Sequence, residues 1–155
     1  FHLGVVAEKI ERGFSRIYQH LLLKSLRRDL RRKMEVVDVG LELTHREIRR
    51  LTTFFKFDDR VSGPLGGFDG AEDYYAKTRS DKLLPHVSVP TLIVNARDDP
   101  FVPAHLIPDK RNVSDQITLE ISNHGGHLGF ISGRWPWSAR FWLDTRVPEF
   151  LAGFF

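Results

Sequence analysis

Hydrophobic positions change their period along the chain, and each change marks a different kind of element. Between Ile10 and Met34 apolar residues recur at Ile10, Phe14, Ile17, Leu21, Leu22, Leu26, Leu30 and Met34, three or four apart for the most part. This spacing predicts an amphipathic helix or helix pair with cations on its other side. Gly13 costs about 1 kcal/mol relative to Ala inside a helix, so a break or a close packing contact is expected there. Val36 to Leu43 fits an extended segment or a loop equally well. Thr44 and Glu47 then show capping-box spacing, which predicts a short helix running to about Phe55. Asp69 to Glu72 has similar cap-like spacing and predicts a helix to about Thr78.

The period changes at Val89. Val89 to Ala96 is a short apolar run rich in β-branched residues, which reads as a buried strand. Pro100 stops it, leaving Asp98 and Asp99 in the loop beyond its carboxyl end. Ile117 to Ile121 alternates apolar and polar residues and reads as a second strand, with His124 and His127 just past its end. If the strands are parallel neighbours, an Asp and a His reach the same rim of one sheet, where open α/β sheets place their chemistry. Gly133 to Pro136 predicts a turn. A last helix is predicted from about Trp137, with Phe141, Trp142, Leu143, Val147, Phe150 and Leu151 against the sheet, and Pro148 implies a kink or restart.

Other side chains take bland roles. Asp58 and Asp59 are expected to pair with Arg60 or neighbouring arginines and pin their loop. Tyr74 and Tyr75 are expected mainly to pack, with a wet hydroxyl. Gly63 to Gly67 is a turn-rich break without the Lys-Ser or Lys-Thr ending of a phosphate-binding loop.

Composition narrows the choice of function. The 155 residues are 41% hydrophobic and carry no cysteine, so a core is affordable and thiolate metal sites and disulfides are excluded. The net charge is +3, yet Lys24 to Lys33 gathers six cations around Asp29. Such a run attracts phosphates or an anionic surface, although a solvated helix face explains it as well. No recognisable nucleic-acid motif accompanies it, and no nucleic-acid partner is expected. No apolar stretch approaches the roughly 20 residues that cross a bilayer, and Phe1 to Val6 is too short for a signal-peptide core. A cytoplasmic location is expected.

Five blocks resemble a known family. They are Arg12-Gly13-Phe14-Ser15-Arg16-Ile17-Tyr18, Phe57-Asp58-Asp59-Arg60-Val61, Pro-Thr-Leu-Ile-Val-Asn-Ala-Arg-Asp-Asp-Pro-Phe-Val-Pro at 90–103, Gly-Gly-His-Leu-Gly-Phe at 125–130, and Arg146-Val147-Pro148-Glu149-Phe150-Leu151. Together they resemble the C-terminal half of the YheT branch of α/β-hydrolases, related to the ABHD-type enzymes. The resemblance implies an α/β fold in which residues 1–85 form a helical cap or lid. Residues 86–155 would be the C-terminal portion of the core, with its last two parallel strands. It also implies a triad in chain order Ser, acid, His, with Asp99 as the acid and His127 as the base. Asp98 is the fallback acid, whose simpler role would be capping the following turn. His127 is preferred over His124 because small residues flank it, and two histidines three apart lack a third ligand for zinc.

The departure from the family pattern is that no G-x-S-x-G nucleophile elbow occurs in the 155 residues. The first residue is Phe1, and two strands are too few for a stable parallel sheet. The chain is therefore expected to be a C-terminal fragment that is inactive alone and completed by a missing N-terminal half. The complete enzyme would hydrolyse carboxylic esters with an apolar acyl group through an acyl-serine, without a cofactor. The competing expectation is a non-enzymatic module whose basic helix contacts anionic partners.

Overall fold

Gly13 does interrupt the first helical stretch. It adopts φ +59, in the left-handed region that favours glycine, and separates α1 (Leu3–Ile10) from α2 (Ser15–Val36). The computed structural model describes residues 2–133 and 135–154. Phe1 of the opening apolar run and Arg134 of the predicted turn lie outside the described residues. The chain divides into two compact units, 1–80 and 81–155.

The first unit is helical. Thr44 and Glu47 form the predicted capping box at the start of α3 (His45–Arg50): the Thr44 hydroxyl accepts the Glu47 amide at 3.3 Å, and the Glu47 carboxylate accepts the Thr44 amide at 2.8 Å. The helix ends at Arg50, short of the predicted Phe55. Arg27 reaches from α2 to the Leu51 carbonyl at 3.1 Å, and Thr53 caps a new helix, α4 (Phe54–Phe57), through the Lys56 amide at 3.2 Å. The buried Gln19 accepts the Phe54 amide at 3.1 Å. A π-helical turn at Asp58–Ser62 and the short α5 (Gly63–Leu65) lead towards α6 (Ala71–Lys77).

The core of this unit is built from Leu23, Leu30, Leu43, Ile48, Leu51, Phe57 and Val61. The predicted stripe of α2 is therefore only partly the packed one. Leu30 is buried and Met34 packs against the core, but Phe14, Ile17, Leu21, Leu22 and Leu26 are exposed, Phe14 by 74%. The segment from Leu43 to Val61 meets α2 along Gln19, Leu23 and Leu30, roughly the opposite side of the helix from Phe14 and Leu21 at about 100° per residue.

Asp58 and Asp59 also depart from expectation. Asp59 accepts the Ala71 amide at 3.1 Å and Asp58 accepts the Tyr75 hydroxyl at 2.7 Å, whereas Arg60 lies 3.8 Å from Glu47. Tyr75 is buried with its hydroxyl on Asp58, and burial followed by the Asp58 hydrogen bond pushes its pKa well above the usual tyrosine value.

The second unit holds the sheet. Strands β1 (Thr91–Ala96) and β2 (Ile117–Ser122) pair in parallel, Thr91 opposite Ile117 through Ala96 opposite Ser122. One side of this sheet borders a cavity of about 410 Å³ lined by Leu119, Ile121, Ala104, Ile107 and Pro108 among others. After β2 the chain makes a small antiparallel hairpin, β3 (Ile131–Ser132) with β4 (Arg140–Phe141). The final helix, α7 (Leu143–Ala152), starts later than predicted because β4 occupies the preceding residues. Pro148 lies inside it. Its attachment is more polar than expected. Arg146 grips Glu120 of β2 in a forked ion pair with Nε–Oε1 2.8 Å and Nη2–Oε1 2.5 Å, while Val147 and Leu151 are exposed. Trp135 and Trp137 stack on each other, 5.3 Å between centroids, and both are exposed. Among the described residues, no helix is long and apolar enough to cross a membrane.

Candidate active site

The site begins where β1 stops. The Arg97 amide donates to the Ser122 carbonyl at 2.9 Å, extending the ladder one step past the strands. The Asp99 amide then turns back to the Ala96 carbonyl at 3.3 Å. Pro100 lacks an amide and cannot continue the ladder, so the chain leaves the sheet with two carboxylates in succession.

Asp99 is buried to 4% exposure. Its Oδ1 accepts the Phe101 amide at 2.7 Å and the Val102 amide at 3.0 Å. Its Oδ2 lies 2.8 Å from His127 Nδ1. Two amide donors on one oxygen hold the carboxylate in one orientation and leave the other oxygen to the imidazole. A carboxylate can only accept, so the tautomer that satisfies this contact carries its proton on Nδ1 and leaves Nε2 as the acceptor. The ring packs edge-on against Phe101 at 5.0 Å between centroids, and the His127 side chain keeps 43% of its exposure. An ordered carboxylate thus meets an accessible imidazole.

The turn that carries His127 has its own fastenings. Asp98 Oδ1 accepts the amides of Gly125 at 3.0 Å and Gly126 at 2.9 Å. The Gly126 amide foremost holds the Asp98 pKa below its ordinary value; desolvation opposes it, and the Gly125 amide and His124 add to the lowering. Asp98 therefore does not cap the turn that follows it; Asp99 does that while also facing His127. The far end closes when the Phe130 amide donates to the Gly125 carbonyl at 2.9 Å and the Trp142 amide donates to the Phe130 carbonyl at 3.1 Å.

Gly125 is needed here for space, because a Cβ on it would lie 2.6 Å from the Phe130 ring. Phe130 is buried and holds φ +42, an uncommon conformation for a bulky residue.

His124 turns away from this pair. Its side chain is 92% exposed, and Nδ1 lies 3.5 Å from Asp98 Oδ2. The two histidines thus face two different acids. Among the described residues, no group of three or more His, Asp or Glu could hold a metal ion. Asp99 and His127, which sequence reasoning singles out, are brought together. The reach of Asp98 to the His127 turn was missed, since a side chain that bonds backbone amides 27 and 28 positions away leaves no spacing signal.

The sequence is similar to several proteins. It is 32% identical over 97% of its length to "Putative esterase YheT" of Escherichia coli. It is 36% identical over 84% of its length to an abhydrolase domain-containing protein of Dictyostelium discoideum. It is 30% identical over 76% of its length to phospholipase ABHD3 of Mus musculus. The chain spans less than half of these relatives, 44%, 33% and 27% of their respective lengths, and corresponds to their C-terminal parts. No family model matches the sequence, and no solved structure matches it.

Proposed function

Since this chain belongs to the α/β-hydrolase superfamily, as a YheT-like member corresponding to the C-terminal part of its relatives, we propose that it supplies the acid and base of a serine ester hydrolase. His127 Nε2 takes the proton of an attacking serine hydroxyl, which is a poor nucleophile at its free pKa. Asp99 keeps the imidazole in the Nδ1-protonated form and stabilises the imidazolium that develops. The serine oxygen bonds to the ester carbonyl carbon, and the imidazolium returns its proton to the leaving alcohol. Water then repeats the sequence on the acyl-serine, with His127 again as the base. The observation that carries this reading is the 2.8 Å contact between His127 Nδ1 and an Asp99 already oriented by two amides.

The nucleophile and oxyanion hole belong, in this reading, to a preceding portion of the hydrolase. The 155 residues hold no G-x-S-x-G, and an acid–base pair without a nucleophile and hole has nothing to activate. Residues 1–85 serve as the cap region. Relatives named as an esterase and a phospholipase support an ester substrate with an apolar acyl group.

The test is turnover of p-nitrophenyl esters by this chain alone and joined behind the preceding portion of the E. coli YheT protein. Turnover is expected only in the joined protein. There, Asp99→Asn and His127→Ala are each expected to reduce kcat by about 10⁴-fold, the order seen when the acid of such a triad is neutralised. A joined, folded protein whose turnover survives His127→Ala would overturn the assignment.

A further inference from the structure

We propose that Asp98 is a positioning residue, fixing the turn that brings His127 to Asp99 by accepting the Gly125 and Gly126 amides. The inference deepens the hydrolase reading and borrows its assignment of the acid and base. Its own evidence is geometric.

The turn from Gly125 to Phe130 must present one imidazole to one carboxylate oxygen. His127 is the third residue of that turn, and its Nδ1 contact with Asp99 acts at the middle of the turn. The closing end is held by backbone, through Phe130 to Gly125 and Trp142 to Phe130. The opening end is held to β1 by Asp98, whose single oxygen takes two successive amides. Bonds from amides to an ionised carboxylate are shorter and stronger than neutral ones.

Asp99 cannot do this work, because its Oδ1 is committed to Phe101 and Val102 and its Oδ2 to His127. The adjacent acids therefore divide the task, with Asp98 setting the backbone that carries the base and Asp99 orienting the ring. Gly126 holds φ +64, a left-handed conformation that glycine adopts without a Cβ penalty. Groups behind a reacting side chain act through its placement, and a misplacement of about 1 Å can cost on the order of 100-fold in rate.

The first readout needs no catalysis. In the 155-residue chain labelled with ¹⁵N, the His127 Nδ1 proton is expected as a low-field signal that Asp99→Asn moves. Asp98→Ala is expected to shift or broaden the same signal, whereas Asp98→Asn, which retains an acceptor oxygen, keeps it. The Gly125 and Gly126 amides of the unaltered chain are expected to exchange slowly with solvent, a measurement that stands even if Asp98→Ala fails to fold.

The second readout uses the joined protein, where Asp98→Ala is expected to lower kcat by up to about 100-fold with KM unchanged, and Asp98→Asn to recover much of it. Unprotected Gly125 and Gly126 amides, or an unmoved His127 signal in a folded Asp98→Ala chain, would overturn the positioning role. A His127 signal that responds to Asp98→Ala, in a joined protein that turns over no ester, upholds the positioning role and removes the hydrolytic reading instead.

Discussion

Asp98 and Asp99 are neighbours in sequence and face acid differently. Asp98 is a charged acceptor for two amides at the molecular surface, and those bonds, the Gly126 amide foremost, hold its pKa below the ordinary aspartate value. A carboxyl whose folded pKa is depressed gives its full stabilisation above the unfolded value. It loses that contribution as pH falls through the folded value, because the unfolded chain then binds more protons. The His127 turn should thus be fastened at neutral pH and loosen with a midpoint below the ordinary aspartate value. An NMR titration is expected to show the Gly125 and Gly126 amide protons moving together with a midpoint under that value, and a midpoint above it would contradict the assignment.

The meeting of Asp99 and His127 was legible in the sequence. Asp99 and His127 could be singled out because each follows a recognisable strand, and because the family pattern carries both. The roles of Asp98, Asp58 and Asp59 could not. Each bonds a group twelve or more positions away, and charge next to charge in sequence suggested nearer partners.

At the scale of elements, local chemistry was read well and packing less well. The capping box at Thr44, the break at Gly13 and the two strands all rest on residues that act within a few positions of themselves. Removing the Thr44 hydroxyl leaves the Glu47 amide without its cap. Thr44→Ala is expected to destabilise the first unit by about 1 kcal/mol, measured by urea unfolding, with Thr44→Ser close to unchanged. Faces were harder to assign. Periodicity in α2 identifies an apolar stripe, but the chain from Leu43 to Val61 decides which side is covered, and it covers Gln19, Leu23 and Leu30. The residues before α7 were read as helix because their aromatic spacing suits one. Two residues of pairing with Ile131 and Ser132 drew Arg140 and Phe141 into a strand instead.

For the whole molecule, the decisive feature is a sheet of two parallel strands, each paired on one side among the described residues. Parallel strands ordinarily lie in larger sheets with both faces covered, and unpaired edges invite association. Exposed Phe14, Leu21, Leu128, Trp137 and Phe141 add apolar surface in both units. The chain alone is therefore expected to take up a hydrophobic dye in its native state. Joining it to the preceding portion of the YheT protein should lower that uptake, and a low uptake in both would count against a shared core.

The division into two units has a spectroscopic consequence. The three tyrosines, Tyr18, Tyr74 and Tyr75, fall in residues 1–80, and the three tryptophans, Trp135, Trp137 and Trp142, fall in residues 81–155. Each half of the chain thus carries its own native chromophore. Long-wavelength excitation that spares tyrosine reads the half that contains the Asp99–His127 pair, and near-ultraviolet tyrosine absorbance reads the helical half. In one unlabelled sample, coincident melting of the two signals would mean a single cooperative body, and separate melting two that fold on their own accounts.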